Sequence, residues 1–228
     1  KDGEYISGDG TNLTITSGAD IIFATAAGGS VYYAGGGGTG NTVFGNDAGI
    51  QLASGDNYNT FIGHQVADAD MTSAVQNTAI GYQAASAITT GSGNNAIGYK
   101  AATALTTGSA NIVIGGEALD AADGDEDHNI AIGDSAMGAV NDDTSDFNVA
   151  IGTNALLGGT AAAIGNVAIG YQSLDATAGN AQTGTVAIGH QALTALTSGA
   201  ANVAIGYRAA SATTNSAGNV AIGHDAMR

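Results

Sequence analysis

Eleven glycines, Gly45, Gly63, Gly81, Gly98, Gly115, Gly133, Gly152, Gly170, Gly189, Gly206 and Gly223, each close a short β-prone run and stand 17 to 19 residues apart. A near-fixed period of this length means a repeat architecture. The full motif is Asn-x-Ala-Ile-Gly, as in Asn77 to Gly81, Asn166 to Gly170 and Asn219 to Gly223. A small-residue segment such as Tyr82-Gln83-Ala84-Ala85-Ser86 follows, then a Thr/Gly/Ser link such as Thr89-Thr90-Gly91-Ser92-Gly93. The repeat is too short for a helix-and-turn unit, and no segment sustains a 3.6-residue apolar period. The fold class expected is therefore all-β, a parallel β-solenoid (β-roll) of about eleven 17–19-residue coils. Stacked at ~4.8 Å, these make a rod of roughly 50 Å.

The strand assigns faces. Ile stands just before the motif glycine, as at Ile80, Ile169 and Ile222, with Phe44 in the first copy. This column is expected to fill the coil interior. One residue earlier stands Ala in most copies, on the opposite face because strand side chains alternate. A strand apolar on both faces is normally covered on both, so the Ala face is expected to meet another chain. That predicts a homo-oligomer, taken as a trimer, intertwined or side by side. The motif Asn, replaced once by Thr185, reads as a stacked amide ladder capping turn backbone. The glycine reads as the corner.

The charge balance narrows the partners. Four Lys and Arg against 20 Asp and Glu give a formal net charge of −16. Such a chain repels phosphate backbones and anionic lipid, which excludes nucleic acid as a partner. No run approaches the ~20 apolar residues of a membrane span, which excludes insertion. Residues 1–40 differ from the array in 41–228. They hold three β-prone runs (4–6, 13–16 and 20–25) and a Gly-rich joint at 35–40. The joint contains Gly-x-Gly-x-x-Gly, but strand rather than helix follows it, which argues against dinucleotide binding. The array stops at Arg228, five residues after the last motif glycine, and so reads as a piece of a longer polypeptide.

Chemistry is sparse. With four His and no Cys, no nucleophile and base are brought together by spacing, so the chain is expected not to be an enzyme. The slot after the motif glycine holds Tyr82 and Tyr99, preceded by His64, and later Tyr171, His190, Tyr207 and His224. Stacked coils would line these up as two columns of rings beside Gln and basic residues. Such columns suit sugar rings; the competing reading is that the rings only stack on one another or pack between subunits. Asp123, Asp125, Asp127 and Asp143 form the other candidate. Asp125 and Asp143 both lie ten residues after a motif glycine, which places them in adjacent coils. Calcium is the cofactor such acids would take, and a solvated acidic loop is the competing reading. No other cofactor is indicated.

The run Asn202-Val203-Ala204-Ile205-Gly206-Tyr207-Arg208-Ala209 resembles the head repeats of trimeric autotransporter adhesins, left-handed parallel β-rolls shared among three chains. The repeats here are longer. The form Asn77 to Ala84 with its Thr-Gly-Ser-Gly link is more similar to bacteriophage tail-fibre repeats, as is the opening stretch from Glu4 to Ile15. The resemblance implies an extracellular, homotrimeric structural and adhesive fibre protein. It would be the shaft or receptor-binding head of a virion tail fibre, attaching to a host-surface glycan or protein. A bacterial trimeric adhesin head on the cell surface, or a purely structural extracellular filament subunit, are the alternatives.

Overall fold

The computed structural model describes residues 38–177 and 180–228 throughout, and four short strands within the first 37 residues. Those strands form two antiparallel pairs, Tyr5–Gly8 with Leu13–Thr16 and Ala24–Thr25 with Gly29–Ser30. Residues 20–23 of the third β-prone run, and residues 35–37 of the Gly-rich joint, lie outside the described residues.

From Thr42 onward the chain winds as a parallel β-solenoid. Eleven three-residue strands, from Thr42–Phe44 to Val220–Ile222, form one sheet in sequence order. We number the coils 1–11 from their motif Asn or Thr, so that coil 5 is 111–128, coil 6 is 129–147 and coil 8 is 166–184. Pairing is in register at every step: Val43 faces Phe61, Ala150 faces Ala168 and Ala204 faces Ala221. A second, shorter parallel contact joins Ala163–Ile164 to Gln182–Thr183 in the links of coils 7 and 8. No helix occurs among the described residues, and none is long and apolar enough to cross a membrane.

The two strand faces are the reverse of those expected. The motif Ala column is buried, as at Ala79, Ala131, Ala168 and Ala187, while the Ile column lies on the outer surface. Ile80 and Ile169 are only partly covered, and Ile222 is 65% exposed. The reason is space. A circuit of 17 to 19 residues with several tight turns encloses a narrow interior. In coil 3 that interior holds Ala79, Ala84, Ala85 and Ile88, and in coil 4 Ala96, Ala101, Ala102 and Leu105. In these two layers three small residues and one larger one fill the interior, and an inward Ile in the strand would overpack it; coil 2 instead takes Phe61 inward with Val66 and Met71.

Two backbone devices hold the circuit. All eleven motif glycines have φ between 126° and 143°. In coils 1–10 an added Cβ would overlap backbone of the motif glycine in the next coil, so that corner accepts only glycine. The second device is non-glycine. The residues two and four positions after the motif glycine, such as Gln83 and Ala85, Lys100 and Ala102, or Gln191 and Leu193, are left-handed, with φ between 49° and 56° in these examples. Their N–H groups bond in opposite directions along the stack. Gln83 N–H donates to the His64 carbonyl in the coil before, and Ala85 N–H to the Ala101 carbonyl in the coil after.

Candidate functional site

The motif Asn column is an amide ladder, interrupted once, at Thr185. Each side-chain carbonyl accepts the backbone N–H of the next motif residue: Asn59 Oδ1 from Asn77, Asn77 Oδ1 from Asn94, and Asn148 Oδ1 from Asn166. Each Nδ2 but that of Asn219, which bonds Asn202 Oδ1, reaches across to a link carbonyl, as Asn77 to Gly91, Asn111 to Glu126 and Asn166 to Gln182. At the far end Asn219 N–H donates to Asn202 Oδ1 at 3.0 Å. Buried backbone groups of two coils are thus satisfied by one side chain. The accepting link residue always lies three positions before the next motif Asn or Thr. Gly81, Gly170 and Gly223 make the corners beside this ladder.

The residues after the motif glycine form two stacked columns of rings. His64, Tyr82 and Tyr99 follow one another with centroids 5.5 Å apart. In the second column Tyr171, His190, Tyr207 and His224 are spaced by 5.0 to 5.1 Å. All seven rings are exposed. Because the rings already contact each other face to face, a sugar cannot enter between them. What they offer outward is a strip of ring edges and hydroxyls one coil apart. Beside the strip, Gln83 bonds Gln65 at 3.1 Å and Gln191 bonds Gln172 at 3.0 Å, while Lys100 Nζ lies 5.5 Å from the Tyr99 ring centre. A third pair, His128 on Phe147 at 5.1 Å, stands one residue before the motif Asn. This pair lies outside the slot after the motif glycine, and its two residues align only when counted back from Asn129 and Asn148.

The four aspartates of the acidic candidate separate. Asp127 Oδ1 accepts Ser109 N–H at 2.5 Å, and Asp146 Oδ1 accepts Asp127 N–H at 2.8 Å. Asp127 is thereby a rung in a second ladder, two residues before the motif Asn. Asp125 is exposed and outside the cluster that does form, which is Asp123, Glu126 and Asp143. Each of these three offers a carboxylate oxygen, all within 4.8 Å of one another. The expected pairing of Asp125 with Asp143 came from counting forward from the motif glycine. Variable residues precede the link, so its register is set from the following Asn. Counted back from Asn129 and Asn148, Asp143 matches Gly124, and a Cβ on Gly124 would overlap the Asp143 carboxylate.

Glu126 was missed by its residue type, since acids in a loop are normally read as solvated. It is fully buried. Oε2 accepts Gly124 N–H at 3.1 Å, and Oε1 has no hydrogen-bond partner. Burial pushes its carboxyl above the ordinary range; backbone N–H groups pull it back, and the charges of Asp143 and Asp123 push it the same way as burial. No family model matches the chain, and neither a curated protein nor a solved structure matches it at a significant level.

Proposed function

We propose that this chain is a segment of an extracellular fibre whose copies assemble side by side through the outer face of the solenoid sheet. The observation that carries the reading is the Ile column on that face. Ile97, Ile114, Ile151 and Ile205 are each over a third exposed, and the column recurs in every coil, with Phe44 in the first. In coils 5–11 it is doubled by Ile112, Ile130, Val149, Val167, Val186, Val203 and Val220, two residues earlier on the same face. A contiguous apolar stripe of this extent is typically an interaction surface. Its monotony selects the occupant: one branched side chain per strand spacing is best matched by a surface of equal period, which another copy of this chain presents. Three copies is the number the resemblance to adhesin heads and tail-fibre repeats implies.

In this reading the fibre attaches to a host or neighbouring cell surface, and the strips of ring edges at Tyr82–Tyr99 and Tyr171–His224 contact the receptor glycan or protein. The protein performs no catalysis. Sedimentation of the full chain at decreasing concentration tests the assembly: the expected mass is three times 22.0 kDa, and a monomer at micromolar concentration overturns it. For recognition, Tyr171→Ala with Tyr207→Ala should abolish cell or glycan-array binding while leaving that mass unchanged. Retained binding moves the receptor site elsewhere, and an absence of binding by the parent chain favours the purely structural filament.

A further inference from the structure

Asp123 and Glu126 in coil 5 meet Asp143 in coil 6 with carboxylate oxygens no more than 4.8 Å apart. Oxygens that share one calcium ion, each at about 2.3–2.6 Å from it, can be separated by at most about 4.6–5.2 Å. The three therefore lie at the outer limit of a single coordination sphere, and small rotations of the two exposed aspartates close it. Two exposed aspartates on a chain of net charge −16 would carry no weight alone. Glu126 supplies the second observation. Its side chain is wholly buried, Oε1 is without a partner, and its other oxygen is met by the Gly124 backbone N–H. A buried carboxylate needs donors, a counter-charge or a metal. No Lys or Arg occurs in residues 111–147, and the one His of that stretch, His128, is stacked on Phe147.

We propose that Asp123, Glu126 and Asp143 bind one divalent cation of the calcium class, which ties coil 5 to coil 6. The donor set is oxygen alone, which selects a hard cation over zinc or copper. Two of its three arms are exposed, so waters complete the sphere, an irregular arrangement that calcium tolerates and magnesium resists. Gly124 is part of the site, because a side chain there would displace Asp143. The ion offsets two of the three converging negative charges and holds the link 141–146 onto the coil before it.

The test uses the full chain stripped with chelator, then melted with calcium chloride, magnesium chloride, or sodium chloride at matched ionic strength. Calcium at a hundredfold excess over its Kd should raise Tm by about 5 °C or more, with one site per chain by calorimetric titration and a weaker response to magnesium. Asp143→Asn, at an exposed position, should fold and lose the calcium response; Asp125→Asn should keep it. Glu126→Gln should melt above the parent in chelator and show no calcium response. The proposal is overturned if calcium raises the parent's Tm no more than matched sodium chloride, or if Asp143→Asn responds as the parent does.

Discussion

Asn166 Oδ1 accepts the backbone N–H of Thr185 at 3.0 Å, yet the Thr185 hydroxyl on the same residue is buried and has no partner. Every other rung of the ladder ends on an amide that can continue it. Here the continuation is missing, and Asn202 Nδ2 bonds Gly199, the carbonyl that an amide at 185 would reach. Restoring the amide should therefore stabilise the fold. Thr185→Asn is expected to gain about 1 kcal/mol, from a satisfied hydroxyl position and one or two new bonds, read as a higher Tm. The reverse change at an intact rung, Asn148→Thr, should cost about 2 kcal/mol because it strands buried backbone groups.

Side-chain volume decides the strand faces, and paired substitutions check this. Ala168→Leu places three extra heavy atoms in a filled layer and should destabilise by roughly 1–3 kcal/mol or more. Ile169→Ser, on the outer face, should leave a single chain's circular dichroism and melting almost unchanged, while lowering the assembled mass. If Ile169→Ser unfolds the chain and Ala168→Leu does not, the faces are assigned the wrong way round.

Corner glycines should be the least tolerant positions. Gly133 has φ 136°, and a Cβ there would meet the Gly152 backbone. Gly133→Ala is expected to disrupt pairing of coils 6 and 7 and to cost several times the ~1 kcal/mol of an ordinary Gly substitution. Limited proteolysis should then cut near residue 140. Gly184, with nothing near its Cβ direction but φ 63°, should tolerate Asn far better.

Mild acid should strengthen the fold. Burial is the leading cause that raises the folded-state pKa of Asp68, Asp120 and Asp175 above 3.8; Glu117 adds to the effect at Asp120, and a bond from Thr194 opposes it at Asp175. A carboxyl with a raised folded pKa binds its proton more tightly in the native state, so stability falls as pH rises through that window. Tm should accordingly increase as pH is lowered from neutral through the raised values, with the gain complete below 3.8. Asp175→Asn should melt above the parent at pH 7 and show a smaller acid gain. A Tm that falls steadily as pH is lowered from neutral toward 3.8 contradicts this.

How much of this was legible depends on what each column had to satisfy. Gly at the corner and Asn in the ladder are set by backbone needs that no other residue meets, so their recurrence gave both architecture and roles. The strand faces were misread because Ala and Ile are both apolar; size was the discriminating property, and Ala belongs where walls approach closely. The left-handed positions also left a mark. Residues two and four places after the motif glycine, from Asp47 and Gly49 to Asp225 and Met227, are never β-branched, in a chain rich in Thr, Val and Ile. That absence reflects the steric cost of positive φ. The acidic cluster was half legible: Asp123 and Asp143 were found, whereas Glu126 required the register of the link, which only counting back from the next Asn provides.

In-register pairing at every step also means that length comes in whole units. Coil 4 (94–110) could be excised, leaving Gly93 joined to Asn111, and the strand, corner and amide ladder on either side would still match, because both junction residues occupy the positions they replace. Each such deletion or duplication changes the reach of the rod by one strand spacing, ~4.8 Å. The solenoid is thus a ruler graduated in coils, and a single recombination between two motif codons resets its length by a whole graduation.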